Sequence, residues 1–170
     1  MKRLFVLLAA LAATSAVVAG SAFAAPPSYP NLTCTSDMSQ GWQHVNNLTV
    51  PAGTSCHFWG YVDGALTVNG TLGIDGIVFG NTSVGATGHL HVWHSTLTGN
   101  VSVVGGSIQF DNGPSYVGGN LSISYSNGDN SGGSNMNGFW QQTTIAGNFS
   151  YTNNYVPLYT GGGFSAANLH

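Results

Sequence analysis

Apolar and polar positions along this chain repeat in a seven-residue phrase: apolar, any residue, Gly, Asn, apolar, Ser or Thr, apolar. It reads Leu97-Thr98-Gly99-Asn100-Val101-Ser102-Val103 and returns as Val117-Gly118-Gly119-Asn120-Leu121-Ser122-Ile123. A third full copy is Ile145-Ala146-Gly147-Asn148-Phe149-Ser150-Tyr151. Looser copies begin at Val78, at Val62 with Ala65 in place of Asn, and at His44 with Asn46 in place of Gly. A second phrase follows four of the copies and alternates with period two. Its members are Ser55-Cys56-His57-Phe58-Trp59, Thr71-Leu72-Gly73-Ile74-Asp75, His89-Leu90-His91-Val92-Trp93 and Ser107-Ile108-Gln109-Phe110-Asp111. Alternation over five residues bounded by glycine predicts a strand with one buried face.

Two short strands per repeat, neither able to bury its own face, predict a solenoid whose coils stack as parallel strands about 4.8 Å apart. The expected fold is all-β: a single-stranded right-handed parallel β-helix of about six coils over 44–156, with an insertion at 125–144 and a tail at 157–170. The variable coil lengths suit this better than a strict left-handed hexapeptide prism. A β-sandwich is the alternative, but it gives no reason for Asn to recur at one position. In a solenoid Asn47, Asn81, Asn100, Asn120 and Asn148 stack at one corner, where each amide satisfies turn backbone groups. The preceding Gly is expected to supply a backbone angle that residues with a β-carbon resist. Most of the Asn-x-Ser/Thr sequons are by-products of this ladder, leaving Asn31 and Asn69 open to a glycan.

The same alternation assigns sides. In the first strand Leu48, Val50, Leu66, Val68, Val101, Val103, Leu121 and Ile123 face inward, and Thr49, Thr67, Ser83, Ser102, Ser122 and Ser150 form an outward hydroxyl column. In the second, Cys56, Leu72, Leu90 and Ile108 face inward beside Phe58, Ile74, Val92 and Phe110. Outward stand His57, Gly73, His91 and Gln109, next to Trp59, Asp75, Trp93 and Asp111.

Charge narrows the function classes. Charged residues are 4% of the 170, against roughly 25% in an ordinary domain. The only cations are Lys2 and Arg3, and the acids are five Asp with no Glu. Without a cation in the body of the chain there is no fork for phosphate, so nucleotide and nucleic-acid partners are excluded. A Schiff-base lysine and a lyase that needs a basic residue are excluded with them. Those two cations precede an apolar stretch (4–18) and Ala22-Phe23-Ala24, the pattern of a signal peptide over 1–24. The apolar run is shorter than the ~20 residues of a membrane span, so no span is expected after cleavage, an uncleaved anchor being the alternative. Residues 25–43, with Pro26, Pro27 and Pro30, read as a lead-in and cap. In an exported chain Cys34 and Cys56 predict one disulfide, against the alternative of two buried thiols. The expected location is extracellular, on the cell surface or in the periplasm.

The Gly-Asn-apolar-Ser/Thr-apolar spacing, the early Cys in Val-Pro-Ala-Gly-Thr-Ser-Cys (50–56) and the leader resemble secreted bacterial parallel β-helix repeat proteins, from Val45 to about Tyr151. That resemblance implies the fold and no particular activity. Pectate-lyase-like enzymes share the architecture, but their basic catalytic residues have no counterpart here.

Candidate chemistry lies on the outward face of the second strand. Trp59 and Trp93 are expected two coils apart, about 10 Å, with Asp75 between them. Indole planes beside a carboxylate suit sugar rings, with their apolar CH faces and hydroxyl donors, and Gly73 would leave a groove; His57 and His91 complete this candidate ligand surface. Alternatively, the N-terminal segment or the insertion covers the tryptophans. His89, His91 and His94 form the only metal-like cluster, with Asp75 as a further ligand candidate. Asp75 and Asp111 are the candidate catalytic carboxylates, spaced slightly beyond an inverting glycosidase pair. No cofactor is expected. The hydroxyl column suggests ice or a crystalline polysaccharide as a further candidate partner. The reading that follows is a secreted, non-enzymatic structural or surface-associated protein that self-associates end to end through an uncapped coil. The alternatives are a carbohydrate-binding module, then a polysaccharide hydrolase or lyase, then an ice-binding protein.

Overall fold

A computed structural model describes residues 28–35, 40–127 and 137–170. The expected leader (1–24), part of the lead-in and the Gly/Ser/Asn-rich centre of the insertion (128–136) lie outside the described residues. In chain order the strands are β1 (Leu32–Thr33), β2 (Gln40–Val45), β3 (Leu48–Val50), β4 (Ser55–Val62), β5 (Leu66–Val68), β6 (Thr71–Val78), β7 (Thr82–Val84) and β8 (His89–Leu97). They continue as β9 (Val101–Val104), β10 (Ser107–Asp111), β11 (Ser115–Val117), β12 (Leu121–Ser124), β13 (Asn137–Phe139), β14 (Thr143–Thr152), β15 (Leu158–Tyr159) and β16 (Phe164–Leu169).

Every pairing among them is parallel, which excludes the sandwich. The chain is a β-solenoid of about seven turns. Three segments, not two, make each coil. A hydroxyl face holds β1, β3, β5, β7, β9, β12 and the second half of β14. A tryptophan face holds the first halves of β4, β6 and β8, then β10, β13 and β15. The third face holds β2, the second halves of β4, β6 and β8, then β11 and the first halves of β14 and β16. In the middle coils this third segment is only two paired residues, such as Ile77 and Val78 against Thr96 and Leu97. Such a segment is too short to print a period in the sequence.

The extra turn comes from segments expected to be insertion and tail. Asn137–Phe139 re-enters the tryptophan face as a rung between β10 and β15, and Phe164–Leu169 stacks on β14. The first phrase also starts one residue later than the repeat suggests. Val45, not His44, pairs with Val62, because the corner after Val45 is one residue shorter.

The core follows the predicted sides. Leu48, Val50, Leu66, Val68, Leu72, Ile74, Leu90, Val92, Val101, Val103, Leu121 and Ile123 are all buried, each worth about 1.5–3 kcal/mol against exposure. The later coils are aromatic inside: Phe139 stacks on Phe110 at 5.2 Å and on Phe164 at 4.5 Å. Cys34 and Cys56 form a disulfide that ties the end of β1 to the first rung of the tryptophan face. Closing this loop contributes about 3 kcal/mol in the chain-entropy model. The edges of the undescribed insertion segment meet at buried polar groups. Asn137 Oδ1 accepts the Ile108 N–H at 2.9 Å, and its Nδ2 donates to Ser126 Oγ at 2.8 Å. The nearby Tyr151 hydroxyl donates to the Val156 carbonyl at 2.6 Å, and burial raises its pKa above the usual phenol value.

The asparagines form a ladder through their side-chain oxygens. Asn47 Oδ1 accepts the Ala65 N–H at 2.7 Å, Asn81 Oδ1 that of Asn100 at 3.0 Å and Asn100 Oδ1 that of Asn120 at 2.9 Å. Asn120 Oδ1 takes the Asn148 N–H at 2.8 Å, and Asn148 Oδ1 takes the Asn168 amide at 2.7 Å. Asn31 belongs to the ladder as well: its Oδ1 accepts from the amides of both Asn46 and Asn47. Its side-chain oxygen is therefore engaged, while the residue itself is exposed.

The glycines beside the ladder have a different cause from the one expected. Gly64, Gly80, Gly99, Gly119 and Gly147 are absent from the positive-φ glycines. A β-carbon on Gly80 would instead lie 2.3 Å from the Gly64 carbonyl oxygen. Close backbone approach, not a special angle, requires glycine there.

Ala65 offers no acceptor to the next rung. Ala65→Asn is expected to add about 0.5–1 kcal/mol, raising the thermal midpoint by about 1–4 °C. Asn100→Ala should remove about 1 kcal/mol, and Gly80→Ala more, because its clash is with backbone. Calorimetric melting of the three variants checks the order.

Candidate functional site

Register turns the alternation of the sequence into columns on the tryptophan face. Trp59 pairs with Asp75, Asp75 with Trp93, and Trp93 with Asp111. Beside this column His57 pairs with Gly73, Gly73 with His91, His91 with Gln109, and Gln109 with Gly138. Both sets point outward because their neighbours Phe58, Ile74, Val92 and Phe110 are buried. The structure thus places Trp59, Asp75 and Trp93 on consecutive rungs, with His57 and His91 alongside.

Side-chain packing then departs from the expected open groove. A β-carbon on Gly73 would lie 2.4 Å from Cη2 of Trp93, so the benzo end of that indole occupies the space above the glycine. His57 meets the same indole edge-on, with centroids 5.1 Å apart, and Trp59 at 6.3 Å. Trp59 and Trp93 are half-buried in this cluster, while His57 is exposed. The described part of the insertion forms the next rung of the face. Two polar atoms here are buried without a hydrogen-bond partner, the Trp93 indole nitrogen and Asp111 Oδ1. The other Asp111 oxygen lies 3.6 Å from His91 Nδ1.

This geometry separates the other candidate chemistries. Asp75 and Asp111 flank Trp93 on opposite rungs, about 10 Å apart by strand spacing, with the Trp93 rung between them. They do not face one another across a gap that a glycosidic bond would enter. His89 stands on the same side as His91, but its Nδ1 lies 2.9 Å from Ser107 Oγ. His94 leaves that side altogether. It sits in a β-bulge opposite Gly76 with φ of 43°, and its ring lies over Gly113. Among the described residues no three His, Cys, Asp or Glu side chains converge as a metal site.

The bend that separates the tryptophan face from the third face is built on glycine. Gly60 and Gly76 have φ of 137° and 156°, and a β-carbon on Gly76 would meet the Gly60 oxygen at 1.9 Å. One coil later Ser95 takes over, its Oγ accepting the Gly76 N–H at 3.0 Å.

Two features escaped the sequence reading. Trp140 directly follows the Phe139 that pairs with Phe110, so it extends the Trp59–Asp75–Trp93–Asp111 column by one rung. The signal was present: Phe58-Trp59, Val92-Trp93 and Phe139-Trp140 are the same dipeptide pattern. The preceding insertion concealed its register. Trp140 lies over Gly138 and stacks on Tyr159 at 3.9 Å, and its indole nitrogen is also buried without a partner. The second feature is an aromatic patch on the third face, where Trp42 (68% exposed), Tyr61, Phe79 and Tyr116 are all exposed. Tyr29 stacks on His44 beside it, and His44 Nε2 lies 2.7 Å from Asp63 Oδ1.

The hydroxyl face is more regular than expected. Thr33, Thr49, Thr67, Ser83, Ser102, Ser122 and Ser150 stand in one paired column. Comparison with protein-family models, curated proteins and solved structures finds no match to this chain.

The packing of Trp93 over Gly73 is open to a direct test. Gly73→Ala should displace the indole, shift the intrinsic fluorescence and cost about 1–3 kcal/mol, the usual penalty of overpacking. In a Trp93→Ala background the same change should be nearly neutral, and a double-mutant cycle by urea denaturation measures the coupling.

Proposed function

We propose that this chain is a secreted, non-enzymatic β-solenoid that binds polysaccharide through its tryptophan face. The observation that carries the reading is the outward column Trp59, Asp75, Trp93, Asp111, Trp140, which alternates indole and carboxylate rung by rung. Sugar rings combine apolar CH faces with hydroxyl donors, and this column alternates the two matching partners. Export is supported by the leader-like start and by the Cys34–Cys56 disulfide, a bond favoured in oxidising compartments. Among the described residues no helix is long and apolar enough to cross a membrane.

Self-association is a second reading, favoured by the last coil. Leu158, Phe164 and Ala166 are only partly buried there, Leu169 is 65% exposed, and β16 pairs with β14 alone. An apolar coil end with an unpaired strand edge is a template for another copy.

Retention on insoluble cellulose, chitin and peptidoglycan tests the first reading. The intact chain should be retained on at least one, Trp59→Ala/Trp93→Ala should lose retention, and Trp42→Ala/Tyr61→Ala on the third face should keep it. Retention unchanged in the tryptophan variant removes the reading. For the second, sedimentation velocity of the mature chain should show oligomers that Leu169→Asp reduces to monomer. A monomer at all concentrations ends it.

A further inference from the structure

Resting on the polysaccharide reading, the geometry points to a narrower ligand: an uncharged, extended β-1,4-linked polysaccharide lying parallel to the solenoid axis. Two independent observations converge on it. The first is periodicity. Trp59, Trp93 and Trp140 recur at every second rung of one column, so successive indoles are about 10 Å apart along the axis. In an extended β-1,4-linked chain each sugar advances by roughly one strand spacing, and the same ring face returns at every second sugar. Alternate sugars would therefore meet indoles, and the sugars between them would meet Asp75 and Asp111.

The second observation is charge. The only Lys and Arg of the sequence are Lys2 and Arg3, and the column itself carries two carboxylates. A uronate, sulfate or phosphate on the polymer would face Asp75 or Asp111 with no Lys or Arg of the face to offset it, its histidines being His57, His89 and His91. A carboxylate facing neutral hydroxyls instead accepts charge-assisted hydrogen bonds.

The strip has a defined length. From Trp59 to Trp140 is four rungs, about 19 Å, which accommodates about five sugars.

Calorimetric titration of the mature chain with cello-, manno- and chito-oligosaccharides of increasing length tests this, beside oligogalacturonates and chitosan oligomers. At least one neutral series should bind with affinity that rises to about five sugars and then levels off. Trp140→Ala should bring the plateau down to about three sugars, and Trp93→Ala should weaken the longest oligomers by at least about tenfold. Oligogalacturonates should bind at least about tenfold more weakly than the neutral series. Equal or tighter binding of oligogalacturonates overturns the inference. So does a preference for chitosan oligomers that Asp75→Asn abolishes, or an affinity that stops rising at two sugars. Each of these leaves the tryptophan-dependent retention on insoluble polymer intact. Loss of that retention in the third-face variant, and not in Trp59→Ala/Trp93→Ala, would instead overturn both the site and the ligand.

Discussion

The fold depends on backbone meeting backbone, coil upon coil, at the corner between the third face and the hydroxyl face. There Gly64, Gly80 and Gly99 stack so closely that a β-carbon on any of them would lie within about 2.7 Å of another coil's atoms. Each adjacent Asn then hands its side-chain oxygen to a backbone N–H of the next coil. The glycine permits the approach and the asparagine satisfies the donor that the approach leaves behind. With that corner fixed, every rung on the three faces inherits its register. Coils of different lengths still stack, because between Val62 and Phe149 the length differences are confined to the other bends, and only the first and last coils are one residue shorter at this corner.

Register is also what converts a linear sequence into a surface. Residues from 16 to 29 positions apart in the chain become neighbours on one face: Trp59 beside Asp75, Phe110 beside Phe139. A solenoid therefore displays its sequence period as a spatial period of one strand spacing. The hydroxyl column and the Trp/Asp column are two such displays, built on different faces of the same coils. Their chemistry differs because the hydroxyl face selects small side chains over a flat sheet, whereas the tryptophan face alternates large indoles with small or acidic residues that leave room for them.

Near-absence of charge has a structural counterpart. The described coils are held by core packing, main-chain ladders and amide stacking, while the ion-pair contacts of His44 with Asp63 and of His91 with Asp111 both depend on histidine protonation. A surface of Ser, Thr, Asn, Gly and aromatic groups is also the composition that makes hydrogen bonds and ring contacts with neutral partners. The disulfide closes the first coil covalently where only a few rungs contribute packing.

The period-two alternation and the recurring Gly-Asn by themselves pointed to parallel coils, the inward and outward sides, the Asn stack and the Trp59–Asp75–Trp93–Asp111 column. These are properties of backbone periodicity, and periodicity is local to each phrase. The tertiary structure alone decided the third face, since two-residue segments such as Ile77-Val78 carry no period. It decided that Asn137–Phe139 is a rung and Trp140 a column member, because an intervening insertion leaves register undefined until the strand pairs. It placed the Trp93 indole over Gly73, and it turned His94 away from His89 and His91 in a bulge. A side chain's direction and a bulge's position are settled by contacts with the neighbouring rung, which lies a full coil away in sequence.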